Sequence, residues 1–316
     1  VTERESEREP VLVILGPTGV GKSRVAYELA RRLGDVEIIS ADARAIYKGM
    51  DVGTDKPPKE WRERVPHHLI DIKEPHERYS AMDFRRDALR LISDIRKRGG
   101  RPVVVGGSTL YLDALFGKLF EGPSADLALR AELQKRPLVE LYEELKRVDP
   151  EAARRIHPND RLRIVRALEV YRVTGRPISE LQKRLPKPPF RFLKVGLTAR
   201  RDVLYERIDR RVDEMMQKGL LEEVKALRPK VPKGSQAYKS NAYRELFLYL
   251  EGEIPSLEEA IRLIKKHTRG HARRQLIYFK RDPEIHWIDT TERAPEDVAE
   301  EILNLLQSRS RDCSKL

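Results

Sequence analysis

The chain is poor in cysteine: it has one, Cys313, among its last few residues. A single thiol forms no bridge within one chain and builds no cysteine-rich zinc finger, so a reducing cytoplasm is the expected compartment. Long apolar runs are missing as well. The longest uninterrupted aliphatic stretch near the start is Val11 to Leu15, far below the ~20 residues a membrane helix needs. The mixed-charge "TERESEREP" at residues 2–10 is unlike a signal peptide. No membrane partner is expected, and nothing in the sequence demands more than a monomer. A further absence concerns one side chain. "RPVVVGGSTLYL", Arg101 to Leu112, reads as a buried strand that ends in Gly106-Gly107-Ser108 with no carboxylate. An ordinary phosphate-loop nucleotidase places an Asp at such a strand end to hold Mg²⁺.

The phosphate loop itself is present. In "VLVILGPTGVGKS", Gly16, Gly21, Lys22 and Ser23 have the spacing of that motif. Val11 to Leu15 reads as a parallel strand, and Ser23 to Arg32 as a helix with Val25, Leu29 and Leu33 on one buried face. Glycines let the backbone curl until successive N–H groups point at phosphate oxygens. The helix N-terminus, the Lys22 charge and a Ser23 hydroxyl for Mg²⁺ complete the site. These features specify a diphosphate, and none of them requires a triphosphate. Val36 to Ser40 reads as a second strand that delivers Asp42 to its C-terminal end. Ligands of parallel α/β sheets gather at those ends, so Asp42 is expected to face the loop as a metal-linked group or a base. The alternative is a turn Asp that caps the next stretch of backbone.

There are 63 Lys plus Arg against 51 Asp plus Glu, a formal net charge of +12. Such an excess favours a polyanionic partner, because neutralising phosphates releases counterions. A surface crowded with both signs, as in heat-stable proteins, explains the density of charge without its sign. The first part alternates strand and helix, with helical character from Ala81 to Arg98 and a strand at Val103. That is the rhythm of a parallel sheet with helices on its faces. "EGPSAD", Glu121 to Asp126, breaks it; the next sixty-odd residues read as helical, and a strand resumes at "RFLKVGLT", Arg191 to Thr198. The expected fold is therefore α/β: a core built on the phosphate loop over 1–121 and 190–316, with a helical insertion over 122–189. The closing "SRSRDCSKL" reads as loose.

Two stretches concentrate positive charge. "NDRLRIVRALEVYRVTG" opens on an Asn-Asp cap and stops at Gly175, with Arg163 and Arg166 on one face and Leu162, Val165 and Leu168 expected to pack behind. "RLIKKHTRGHARRQLIYFKR", Arg262 to Arg281, has eight basic residues and no acid. A charged face is usually only solvated, but one without acids also suits a phosphate backbone. Tyr278, Phe279 and Trp287 offer rings for base stacking or for the core. The adjacent His67 and His68 point oppositely in an extended segment, which disfavours one shared ion.

These motifs, in this order, resemble the tRNA dimethylallyltransferases, from the phosphate loop through "ISADARAIYKGMDVGT", "VPHHLIDI", "VVVGGSTLYLDAL" and "HPNDRLRIVRALEVYRVTG" to "RRDVLYERIDRRVDEMMQKGLLEEV" and "TRGHARRQLIYFKRD". The likeness runs from about Val11 to Asp289. It implies that the loop residues Gly16, Pro17, Thr18, Gly19, Val20, Gly21, Lys22 and Ser23 hold the diphosphate of dimethylallyl diphosphate, with Mg²⁺ on Ser23. It further implies that Thr18 sits near the bridging oxygen, that Arg201 helps neutralise the leaving diphosphate, and that Asp42 is the general base. The implied partner is the anticodon stem-loop of tRNA. Its expected contacts are Asp42, Ala43, Arg44, Ala45, Ser108, Arg130, Arg163, Arg166 and the segment Arg273, Arg274, Gln275 to Lys280. The helical insertion resembles the family's mobile domain that closes on the anticodon stem. Departures fall on the acceptor side. Ala43 and Ala45 replace a usual serine and glutamine, Ala242 a usual glycine, and Ile277-Tyr278 a usual Thr-Trp. An enzyme that prenylates free adenine nucleotides, a phosphate-loop small-molecule kinase and a non-catalytic RNA binder are the alternatives. The basic stretches count against the first, the missing strand-end Asp against the second, and the intact Thr18, Lys22, Ser23, Asp42 and Arg201 against the third.

Overall fold

The computed structural model describes residues 9–185 and 187–313, with the side chains of 309–313 left aside. Most of the opening "TERESEREP" and the Cys313 side chain thus lie outside the described residues. The chain divides into two compact units, one of 1–112 with 189–316 and one of 113–188.

The first unit is built on six parallel strands: β1 Val11–Leu15, β2 Val36–Ala41, β3 His67–His68, β4 Arg101–Gly106, β5 Phe192–Thr198 and β6 His286–Asp289. Their spatial order is β3-β2-β4-β1-β5-β6. The all-apolar β1 lies between β4 and β5, Leu12 pairing with Val103 on one side and Leu193 on the other. Every residue of β1 is buried, as a strand with both faces covered requires. From β1 the chain crosses to β2 and β3, returns with β4 between β2 and β1, and then adds β5 and β6 on the other side. The crevice where strand order reverses therefore lies at the carboxyl ends beside β1, where ligands of such sheets bind.

The helix after the loop spans Lys22–Leu33 and ends where Gly34, at φ 78, donates its N–H to the Ala30 carbonyl. Val25 and Leu29 are buried and Leu33 packs against the same core. The Ala81–Lys97 helix begins with a reciprocal cap between Ser80 and Asp83. The Pro295–Cys313 helix continues through most of the stretch expected to be loose. Among the described residues no helix is long and apolar enough to cross a membrane.

The second unit carries helices Leu127–Lys135, Leu138–Val148, Pro150–Arg155, Arg161–Thr174 and Ile178–Leu181. It has its own core, in which Leu133, Leu141, Leu145, Ile164, Leu168 and Val170 are fully buried. Its beginning at Asp113 lies ahead of the Glu121 break in the sequence. Asp160 caps Arg161–Thr174 by accepting the Arg163 N–H, and Gly175 ends it at φ 69. Val165 and Leu168 pack inward, but Leu162 is 78% exposed. The apolar face is one residue narrower than the spacing predicts.

Candidate active site

The loop after β1 is tightly curled. A Cβ at Gly16, at φ 146, would stand 2.5 Å from the Leu197 carbonyl oxygen of β5, so only glycine lets the loop leave the sheet here. Lys22 folds back over the curve and donates from Nζ to the carbonyls of Gly16 (3.0 Å) and Pro17 (2.7 Å). Burial pushes the Lys22 ammonium down to about 8; the Asp42 carboxylate works against that fall and Arg211 adds to it. The N–H groups of Lys22 and Ser23, in the first helical turn, have no intrahelical acceptor. The Ser23 side chain is on an exposed residue beside them.

Thr18 is held at two points. Its N–H donates to Gln275 Oε1 (2.9 Å), and its hydroxyl accepts from Arg211 Nη1 (3.1 Å). The arginine that meets the loop in this structure is therefore Arg211, not the Arg201 expected from the sequence. Arg201 opens the Arg201–Gln217 helix, exposed, with its guanidinium 5.2 Å from the Tyr205 ring centre. Ten residues of helix put Arg211 about 15 Å further along. Asp55 Oδ2 stands 3.3 Å from Arg211 Nε. The turn that carries Asp55 is itself anchored, because Glu223 accepts the N–H groups of Asp51, Val52 and Gly53.

Two further strand ends complete the site. Asp42 Oδ1 accepts the Arg44 N–H at 2.7 Å and the Ala45 N–H at 3.4 Å, which closes a turn after β2. One Asp42 oxygen thus caps the turn, and the other has no hydrogen-bond partner among the described residues. Ser108, after β4, accepts the Ala43 N–H at 2.9 Å. Arg44 reaches the Gln236 carbonyl (2.8 Å), and the Gln236 side chain accepts from the Tyr47 hydroxyl (3.0 Å). Ala45 is 4% exposed, so its side chain is core and the RNA contact expected of it is withdrawn. His271 lies within the field of this cluster. Burial and the positive Arg274, Arg44 and Lys22 hold its imidazole below the usual range, with Asp42 the one opposing influence.

The glycine pair Gly106 and Gly107, at the end of β4, explains the missing carboxylate. A Cβ at Gly106 would meet the Ala41 carbonyl oxygen at 2.2 Å; one at Gly107 would meet Gln275 Nε2 at 2.6 Å and the Gly16 carbonyl oxygen at 2.9 Å. No group of three or more His, Cys, Asp or Glu suited to a metal occurs among the described residues. The exposed Ser23 hydroxyl instead fits an ion held mainly by ligand oxygens and water, the usual manner of Mg²⁺ at phosphate sites. His67 and His68 serve the sheet edge: His67 Nδ1 lies 2.7 Å from the Val65 carbonyl and His68 Nε2 2.6 Å from Glu37.

The basic residues divide into paired and unpaired sets. On the Leu257–Phe279 helix, Arg262 bonds Glu259, Lys265 bonds Asp213 and Arg269 bonds Asp209. Arg273, Arg274 and Lys280 are exposed and have no acidic partner among the described residues. Phe279 is buried in the core, while Ile277 and Tyr278 are exposed. Gln275 is only 6% exposed and faces the phosphate loop, which corrects its place among the RNA contacts. In the helical unit, Arg130 makes two bonds of 2.9 Å to the fully buried Glu169, and Arg166 adds a third of 2.6 Å. Burial alone would push the Glu169 carboxyl up; Arg130, Arg166 and the Asp126 N–H together outweigh it and hold it below the usual range. Arg163 remains, its side chain 75% exposed and 3.5 Å from Asp160.

An IPP transferase family model matches residues 45–282. A tRNA dimethylallyltransferase of Geobacter metallireducens is 47% identical over 293 residues, which is 90% of this chain and 94% of that one. That of Thermotoga petrophila is also 47% identical, over 300 residues, 94% of this chain and 97% of its own. Among solved structures, the full-length tRNA isopentenylpyrophosphate transferase of Bacillus halodurans matches with a TM-score of 0.74 and 39% identity, covering 98% of this chain and 99% of that one. A eukaryotic dimethylallyltransferase acting on tRNA matches with a TM-score of 0.77 and 30% identity, over 90% and 74% of the two chains.

Proposed function

The chain belongs to the IPP transferase family, and from that premise we propose that it moves a dimethylallyl group from dimethylallyl diphosphate to the exocyclic amine of the adenosine immediately 3′ of the anticodon in tRNA. The observation that carries the chemistry is the convergence of Thr18, Lys22 and Arg211 on one loop beside the turn of Asp42. The diphosphate lies in the loop, against the helix N-terminus and the Lys22 and Arg211 charges. The adenine nitrogen attacks the first carbon of the prenyl chain as the carbon–oxygen bond to the diphosphate breaks, and Asp42 accepts the amine proton. A positioned base contributes roughly 10²–10⁴ to such a step, and fixed charges aimed at the leaving group contribute more. Mg²⁺ on the Ser23 hydroxyl would supply further neutralisation of the diphosphate.

Arg273, Arg274 and Lys280 on one helix, and Arg163 on another, are the side chains proposed to meet RNA phosphates. The target base must leave its stack to be reached. A kinase reading finds no support at the end of β4, where Gly106 and Gly107 have no room for the usual carboxylate. The test offers the protein Mg²⁺ and dimethylallyl diphosphate with an unmodified tRNA in one arm and AMP, ADP or ATP in the other. Mass spectrometry then locates the five-carbon unit. Label on the tRNA is the expected result. Label on the free nucleotides alone overturns the acceptor, and no label in either arm overturns the reaction.

A further inference from the structure

We infer that Gln275 is a positioning residue, which fixes the phosphate loop from the helix that carries the RNA-facing arginines. The inference rests on the proposed role of that helix in meeting RNA. Both ends of the Gln275 amide are engaged: Oε1 accepts the Thr18 N–H at 2.9 Å and Nε2 donates to the Gly107 carbonyl at 2.7 Å. Only one orientation of a planar amide satisfies a donor on one side and an acceptor on the other. The side chain is 6% exposed, so each bond replaces one that water cannot supply.

The amide reaches that place because position 107 has no side chain. The 2.6 Å separation between Nε2 and the site of a Cβ there makes Gly107 and Gln275 a matched pair. Lys22 Nζ is near the same point, 3.5 Å from it. The Gln275 amide therefore joins the end of β4, the phosphate loop and the Leu257–Phe279 helix.

This has two consequences for the reaction. The Thr18 N–H is already spent and Pro17 has no N–H, so neither of these two positions offers a backbone donor to a diphosphate. Thr18 then presents its hydroxyl, held by Arg211, from a backbone whose place Gln275 sets. Arg273 and Arg274 precede Gln275 on the same rigid turn and are exposed. A shift of this helix on RNA binding moves the Gln275 amide with it, and with the amide the loop. Binding of the two substrates is coupled through one side chain, and the coupling is reciprocal.

Gln275→Met keeps the volume and removes both bonds; Gln275→Glu keeps the acceptor for Thr18 and loses the donor for Gly107. Calorimetry measures the Kd of inorganic diphosphate with Mg²⁺, alone and with an anticodon stem-loop present, for the wild type and both variants. An unpaired buried donor and acceptor should weaken diphosphate binding about tenfold in Gln275→Met. The stem-loop should tighten diphosphate binding in the wild type and leave it unchanged in the variant. RNA affinity measured without diphosphate should be the same for both proteins, which a merely unfolded helix would not allow. Gln275→Glu should lose the coupling as well. Diphosphate affinity within twofold of wild type in both variants overturns the inference, as does equal coupling. These readouts require no prenyl transfer. Failure of the proposed reaction would therefore show separately, as a wild type that binds both ligands and transfers nothing.

Discussion

Arg201 and Arg211 lie on the same helix and differ only in what the fold brings to them. Arg201 faces Tyr205 at the exposed helix start, whereas Arg211 donates to Thr18 and is aimed by Asp55. Removing a donor that stabilises developing charge costs about 10²–10³ in kcat. Arg211→Ala should show a loss of that size, while Arg201→Ala should stay close to wild type. A large loss in Arg201→Ala, measured by single-turnover transfer, would reverse the assignment. Lys22 gives a second prediction. At pH 8 about half of the empty protein holds this amine neutral, against a free lysine near 10.4. A bound diphosphate favours the charged form, so binding at pH 8 should take up about half a proton. Affinity should fall as pH rises above that point. Calorimetry in buffers of different ionisation enthalpy reads the uptake, and Lys22→Met should abolish it. An uptake unchanged in that variant would move the effect to another group. By the same linkage the empty fold gains stability between about pH 8 and 10.4, where the unfolded chain holds a proton the native one has lost.

Among the elements, β4 shows how closely the strand ends approach. Gly106 pairs with Ala41, and a methyl at Gly106 would overlap the Ala41 backbone, which cannot step aside without breaking the β2–β4 ladder. Overpacking typically costs 1–3 kcal/mol, and the rigid neighbour puts Gly106→Ala at about 3 kcal/mol. Chemical denaturation should show that loss, and stability equal to wild type would mean that the two strands separate easily. Much of this architecture is legible in the sequence. The strand–loop–helix order, Asp42 after β2, the Asp160 cap and the Gly175 stop all come from local rules about periodicity and capping. Ala242 stands where the family resemblance implies a glycine, and its φ of 72 gives the reason a glycine suits that position. The illegible part depends on how elements pack. Nothing local separates Arg211 from Arg207 or Arg210 on the same helix, because contact with the loop is decided by the tilt of one element on another. Gln275 sits within a basic stretch, so composition assigns it to the surface, whereas the helix turns it inward. Leu162 is expected inside on spacing alone and is exposed.

The whole chain has a net charge of +12, but that excess is not spread over equivalent side chains. Arg130 and Arg166 hold a buried carboxylate, and Arg262, Lys265 and Arg269 face acids. Arg163, Arg273, Arg274 and Lys280 remain as the residues proposed to release counterions when RNA binds. Removing one cation from a phosphate should reduce the slope of log K against log salt by about 0.7–0.9. The triple change of Arg273, Arg274 and Lys280 to Ala should therefore flatten it by about two units, and Arg163→Ala by somewhat less than one. Arg166→Ala should act differently. It leaves the Glu169 carboxylate with Arg130 and the Asp126 N–H, one charged partner fewer, so it should lower the melting temperature of the helical unit and hardly change the slope. The arginine pair holds the Glu169 pKa below its unfolded value, so its stabilisation is present above the ordinary carboxylate range. It is lost as pH falls through the depressed folded value. The Arg166→Ala deficit in stability should accordingly be full at neutral pH and shrink in acid. Salt titrations of stem-loop binding, run beside thermal melts at two pH values, separate the two sets. A flattened slope in Arg166→Ala without a lower melting temperature would mean that this arginine meets RNA after all.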